Sequence, residues 1–185
     1  MEPLQKEKYY TYSDYVKWDD ETRCELIGGE VYMMSPAPTR FHQKIIGKLF
    51  WQLENHLQGK PCEVYLSPFD VRLNAAEEDD TVVQPDLLII CDKSKLTDAG
   101  CDGAPDMVVE ILSPSTAHKD RLLKFRSYQK YGVREYWIID PVSTTLQACI
   151  LTNGKYETNI YDANETAPVF ILDGCGVDLK KVFDE

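Results

Sequence analysis

Two acids stand alone in apolar surroundings. Asp86 follows Val82-Val83-Gln84-Pro85 and precedes Leu87-Leu88-Ile89-Ile90, and Glu110 sits inside Met107-Val108-Val109-Glu110-Ile111-Leu112. Short β-branched and apolar runs of this kind predict buried strands. An ionised carboxylate in such a strand is costly unless a positive or hydrogen-bonding group meets it, so two of them on adjacent strands point to a shared cation. Hydrolysis of a phosphodiester uses that arrangement: it needs an in-line water, charge neutralisation at the reacting phosphorus and stabilisation of the leaving oxygen. Magnesium takes few protein ligands and keeps several waters, so Asp86 and Glu110, with a backbone carbonyl such as that of Ile111, would suffice to hold Mg²⁺ or Mn²⁺. A lysine beside them could orient or activate the water.

The elements around these acids are legible in outline. Proline is tolerated in a strand only at an edge, a start or a bulge, so Pro85 predicts a distortion immediately before Asp86. After Ser113-Pro114-Ser115-Thr116, the spacing predicts a helix on which Asp120, Lys124, Tyr128 and Tyr131 share an arc of about 80°. Taken alone, that polar face predicts a solvated surface with an i,i+4 Asp120–Lys124 pair worth about 0.3–0.5 kcal/mol. Apolar residues at Phe41, Ile45, Ile46, Leu49, Phe50, Leu53 and Leu57 predict a long helix with one buried stripe, ending near Gly59-Lys60-Pro61. His42 falls in its first turn, where a surface or cap role is the simple expectation. Gly28-Gly29 predicts a tight hairpin joining 23–27 to 30–34, with Glu30 a solvated strand position, and Asn153-Gly154 predicts a second hairpin over 145–161. Thr11 or Ser13 should cap a short helix, 62–66, 69–73 and 135–140 should be strands, and 177–183 a terminal helix. The acidic run Glu77-Glu78-Asp79-Asp80 reads as a solvated turn. Together these predict an α/β (α+β) chain: one domain spanning 1–185, with a mixed β-sheet flanked by helices.

Composition narrows the classes. A chain of 185 residues with 43% hydrophobic and 28% charged residues is ordinary for a globular protein. No stretch approaches the roughly 18 apolar residues of a membrane span, and residues 1–6 lack a secretory leader, so a cytoplasmic location is expected. Six cysteines without a C-x-x-C pair predict neither zinc site nor disulfide framework, and three histidines without H-x-x-x-H spacing give little support to a histidine-based site. The net charge of -11 opposes indiscriminate binding to a polyanion, although a bound divalent ion would change the local sign.

Several phrases together carry a resemblance. Glu25-Leu26-Ile27-Gly28-Gly29-Glu30-Val31, Pro85-Asp86-Leu87, the stretch 105–116 around Glu110, Asp120 with Lys124 and Tyr128, and Tyr136-Trp137-Ile138-Ile139-Asp140 resemble the Uma-two family of restriction-endonuclease-like proteins, within the PD-(D/E)XK nuclease superfamily. The match covers roughly residues 10–182. It implies a restriction-endonuclease-like core with an N-terminal and a C-terminal β-hairpin, and a Mg²⁺- or Mn²⁺-dependent endonuclease acting on DNA. Asp86, Glu110 and the Ile111 carbonyl would be metal ligands and Lys124 the water-orienting base or electrostatic partner. Glu25 would be an additional or water-mediated ligand, and His42, Asp120 and Tyr128 would line the site. The superfamily motif has lysine where this chain has Leu112, so the resemblance implies a lysine relocated to the following helix. A homodimer is the expectation for a duplex cutter. Two other readings use the same residues: a non-catalytic nuclease-fold module binding nucleic acid or protein, and a hydrolase for small acidic or phosphorylated substrates.

Overall fold

Side-chain alternation along the central strands sorts the interior into two layers. The computed structural model describes residues 8–18, 23–34, 37–114 and 117–184. Residues 1–6, Ser35-Pro36 and the Ser115-Thr116 half of the predicted turn lie outside the described residues. In chain order, helix α1 (Tyr12–Tyr15) leads to strands β1 (Cys24–Ile27) and β2 (Glu30–Met33), helix α2 (Arg40–Leu57), and strands β3 (Glu63–Leu66), β4 (Asp70–Arg72), β5 (Val82–Val83) and β6 (Leu87–Ile90). Then come β7 (Leu96–Thr97), β8 (Gly100–Asp102), β9 (Met107–Ile111), a π-helical segment Lys119–Lys124 running into α3 (Phe125–Tyr131), and β10 (Glu135–Asp140). The hairpin of β11 (Thr145–Thr152) and β12 (Lys155–Asp162), the small strands β13 (Thr166–Pro168) and β14 (Gly176–Asp178), and α4 (Leu179–Phe183) complete the chain.

The strands form two six-stranded sheets, in the orders β2-β1-β5-β4-β8-β7 and β12-β11-β10-β9-β6-β3, and a β13–β14 pair. Both large sheets are mixed, because β4–β8 and β9–β10 run parallel among antiparallel neighbours. The architecture is therefore α/β (α+β), with mixed sheets flanked by helices and a hairpin near each end. One mixed sheet was the expectation, and the difference lies at Pro85. With no N–H to give to a ladder, Pro85 breaks the run: β5 stays in the first sheet and β6 joins the second.

On one face of the second sheet, Leu87, Ile89, Met107, Val109, Trp137 and Ile139 pack on the α2 stripe of Ile45, Ile46, Leu49, Leu53 and Leu57. The alternate residues Leu88, Ile90, Val108, Tyr136 and Ile138 face Val71 and Val83 of the first sheet and Tyr128 of α3. Thr39 caps α2, its Oγ1 accepting from the His42 N–H at 3.2 Å. Gly28 and Gly29 turn the first hairpin with φ of 60° and 79°. Two sequence expectations are corrected. A disulfide joins Cys62 to Cys91: β3 and β6 pair with Glu63 opposite Ile90, so the next pair outward brings these two residues face to face. The acidic run is not all solvated. Asp79 pairs with Arg72 at 2.8 Å, and buried Asp80 accepts from Asn74 at 2.9 Å and Thr81 at 2.7 Å. Among the described residues no helix is long and apolar enough to cross a membrane.

Because α2 holds the rear of the sheet through its stripe, Leu53→Ala should lower stability by about 2–5 kcal/mol. Trp51→Ala, on the exposed side of the same helix, should stay within about 0.5 kcal/mol of wild type. Urea unfolding of the two variants side by side checks this, and equal losses would contradict the assigned face.

Candidate functional site

The register of β6 and β9 brings the two lone acids level. Leu87 lies opposite Val109, so Asp86, one residue before β6, comes abreast of Glu110. Asp86 accepts the Ile111 N–H through Oδ2 at 2.8 Å. Met107, Val109 and Ile111 point towards α2, so strand alternation turns Glu110 to the opposite face, where α3 and the first sheet lie. There Lys124 Nζ stands 2.7 Å from Glu110 Oε1 and 2.7 Å from Glu25 Oε1, with Asp120 Oδ1 at 3.8 Å. Tyr128 donates its hydroxyl to Glu110 Oε1 at 2.8 Å. Glu25, wholly buried on β1, also accepts the Gln84 N–H at 3.0 Å and pairs through Oε2 with Lys119. Across the cavity His42 Nε2 stands 3.3 Å from Asp86 Oδ2, and the ring also reaches the Ile111 carbonyl.

Glu25, His42, Asp86, Glu110, Ile111, Asp120 and Lys124 all line one cavity of about 560 Å³. Tyr128 stands behind Glu110 rather than on the cavity wall. One expectation about this face is overturned. Asp120 and Lys124 are buried, not solvated, because β1 of the first sheet closes over the helix and offers Glu25 to it. Tyr131, expected on the same face, stays only half-buried. Lys119 also belongs to this cluster, and its place there has no sign in the sequence pattern. At 100° per residue, residues five apart diverge by about 140°, so an α-helix would carry Lys119 away from Lys124. The π-helical segment bonds i to i+5 and brings both ammonium groups to Glu25. Hydrophobic periodicity carries no sign of such a turn.

The electrostatics of the cluster are unbalanced. Glu25, Asp86, Glu110 and Asp120 face two ammonium groups, Lys119 and Lys124, which leaves two formal negative charges in excess when all are ionised. Burial pushes the Glu110 carboxyl well up; Lys124 opposes this, and the charges of Asp120, Asp86 and Glu25 add to it. Burial works against the Lys124 ammonium too, but Glu110, Glu25 and Asp120 hold its pKa well above the ordinary value. At Glu25 burial is outweighed by Lys124 and Lys119, which keep its carboxyl below the usual range. Removing Lys124 would therefore leave Glu25 and Glu110 buried without their shared cation. Lys124→Met should cost about 3–5 kcal/mol. Lys119→Met, at the cavity wall, should cost less, and adding Glu110→Gln to Lys124→Met should recover part of the loss. Chemical denaturation of the set tests this; a Lys124→Met variant as stable as wild type would contradict the bridging role.

Comparison with known proteins agrees with this architecture. A crystal structure of a protein from Anabaena variabilis, described as a putative nuclease belonging to DUF820, superposes with a TM-score of 0.76 at 20% identity, covering 94% of this chain and 97% of that one. Two uncharacterized proteins of Synechocystis sp. are similar in sequence. The protein slr1290 is 27% identical over 161 residues, 86% of this chain and 77% of the relative. The protein sll1609 is 28% identical over 138 residues, 72% of this chain and 76% of the relative. The model of the Uma2 family, described as "Putative restriction endonuclease", matches residues 12–179, almost the whole chain, and the chain therefore belongs to that family.

Proposed function

We propose that this chain hydrolyses DNA phosphodiester bonds in a reaction that depends on a divalent metal ion, Mg²⁺ or Mn²⁺. The observation that carries the reading is the meeting of Asp86 and Glu110, from antiparallel neighbours β6 and β9, in a cavity whose acids outnumber its lysines by two. Family membership supports it.

Among the described residues no three His, Cys, Asp or Glu side chains gather as a ligand set, so such an ion would rest on two carboxylates and a carbonyl. A divalent cation would offset the acid excess that remains once Arg23, which lines the same cavity, is counted with the two lysines. Asp86, Glu110 and the Ile111 carbonyl supply the oxygen donors a hard cation prefers, in the small number that leaves room for water. His42 faces the same carboxylate and carbonyl from the first turn of α2; burial opposes its charge, but Asp86 and the Ile111 carbonyl raise its pKa, so it supports Asp86 as a hydrogen-bond donor. When bound, the ion would polarise a phosphate oxygen and acidify a water.

The chain's own groups have separable tasks. Asp86 is held in place by the Ile111 N–H, and Tyr128 with Lys124 orients Glu110. Lys124, enclosed between two carboxylates, acts as an electrostatic partner; an ammonium so placed is a donor and offers no lone pair to accept a proton. Glu25 holds both lysines and so positions them. Lys119 lies at the cavity wall, where its ammonium can meet a phosphate oxygen or the charge that develops during the reaction.

Cleavage of single-stranded circular DNA and of plasmid DNA with Mn²⁺ tests the reading. Asp86→Asn and Glu110→Gln should each lower the rate at least about hundredfold. Asp86→Asn should cost about 1–3 kcal/mol of stability, because it weakens the hydrogen bond from the Ile111 N–H and removes the charge that faces His42. Activity that survives both substitutions would sink the assignment of these acids.

A further inference from the structure

The form of the cavity bears on which DNA could reach it. Two of its acids are recessed, Glu25 at 0% exposed and Glu110 at 4%, while the Asp86 side chain keeps 21% at the mouth above them. Above them the wall is apolar, with Pro38 ahead of α2, Leu66 ending β3, Leu112 and Pro114 after β9, and Val142 after β10. Val142 is 91% exposed at the rim, away from any packing that would explain it. A volume of about 560 Å³ has room for about one nucleotide and its neighbouring phosphates but not for a base-paired helix. Arg23 also lines this cavity; it donates to Gln84 Oε1 at 2.9 Å and more weakly to Ser67 Oγ at 3.4 Å, and its charge also acts on Asp70. Lys119 and Lys124, by contrast, are already committed to Glu25.

We infer that the substrate enters this site as an unpaired DNA strand, such as a flap, a bulge or a single-stranded run, rather than as intact duplex. The inference rests on the nuclease reading and deepens it. A scissile phosphate on a rigid duplex is flanked by the partner strand, which hinders its approach to Glu110 beneath the partly exposed Asp86. A lone strand can rotate its backbone inward and lay a base on the apolar wall, and any base can do so because each has an apolar face. Arg23 then takes a phosphate next to the scissile one. The charge of -11 acts in the same direction, since duplex DNA carries about twice the charge per unit length of one strand and is the more strongly repelled.

The test uses the full chain with Mn²⁺ and three oligonucleotides of one sequence: a single strand, a duplex closed by hairpins at both ends, and the same closed duplex with a three-nucleotide bulge. The single strand should be cut, and the bulged duplex cut at the bulge, at least about tenfold faster than the closed duplex. Equal or faster cutting of the closed duplex would overturn the inference while leaving the nuclease reading intact. If none is cut, the nuclease reading fails, and fluorescence anisotropy in Ca²⁺ decides the inference alone. Single-strand binding at least about tenfold tighter than closed-duplex binding supports it, and equal or weaker binding overturns it. In the same assay Arg23→Glu should weaken single-strand binding by about tenfold or more; an unchanged affinity would remove Arg23 from the strand path.

Discussion

One ammonium group ties the two sheets together. Lys124 lies between Glu25 of β1, in the first sheet, and Glu110 of β9, in the second, at 2.7 Å from each. A buried ion pair of this kind is a poor source of stability, because the desolvation of three charges offsets most of their attraction. Apolar side chains of similar volume would hold the sheets together at least as well. The arrangement instead places a carboxylate-rich surface at the floor of a cavity and keeps its members in fixed relation. The packing around it follows. Tyr128 and Tyr136 pack edge to face behind Glu110, with ring centroids 4.8 Å apart, and the Tyr136 hydroxyl donates to the Asp120 carbonyl at 3.1 Å.

The path of the backbone serves the same cluster. Between β5 and β6 the chain changes sheets within three residues, and three polar groups of that crossing find partners near the site. The Gln84 N–H goes to Glu25, the Asp86 carbonyl accepts the Ser67 N–H at 3.2 Å, and the Asp86 carboxylate takes the Ile111 N–H. The π-helical segment does similar work on the other side, since it turns two lysines that an α-helix would separate towards one glutamate. Departures from regular structure thus collect where the charged groups are, as they do at sites that must hold groups in otherwise unfavourable company.

Much of this was legible in the sequence, for identifiable reasons. Asp86 and Glu110 stood out because a charge in an apolar run has few structural explanations, and α2 because its stripe has a helical period over eighteen residues. The hairpin turns were marked by Gly28-Gly29 and Asn153-Gly154. What failed was long-range. The Asp120–Lys124 face looked solvated because nothing local reveals that β1 closes over the helix and brings Glu25 to it. Lys119 was hidden by a helical repeat that assumes 100° per residue. The Cys62–Cys91 disulfide follows from the β3–β6 register, which a list of cysteine spacings does not contain.

We propose that the acid excess around Asp86 and Glu110 offers a place for one divalent cation. Calorimetric titration of the purified protein with Mn²⁺, carried to concentrations high enough for weak sites and run beside Asp86→Asn, tests it most directly. Binding of one ion in the wild type and its loss in the variant are expected. Identical titrations of the two, or no binding to either, would mean that Lys119 and Lys124 already satisfy the cluster, and would contradict the claim.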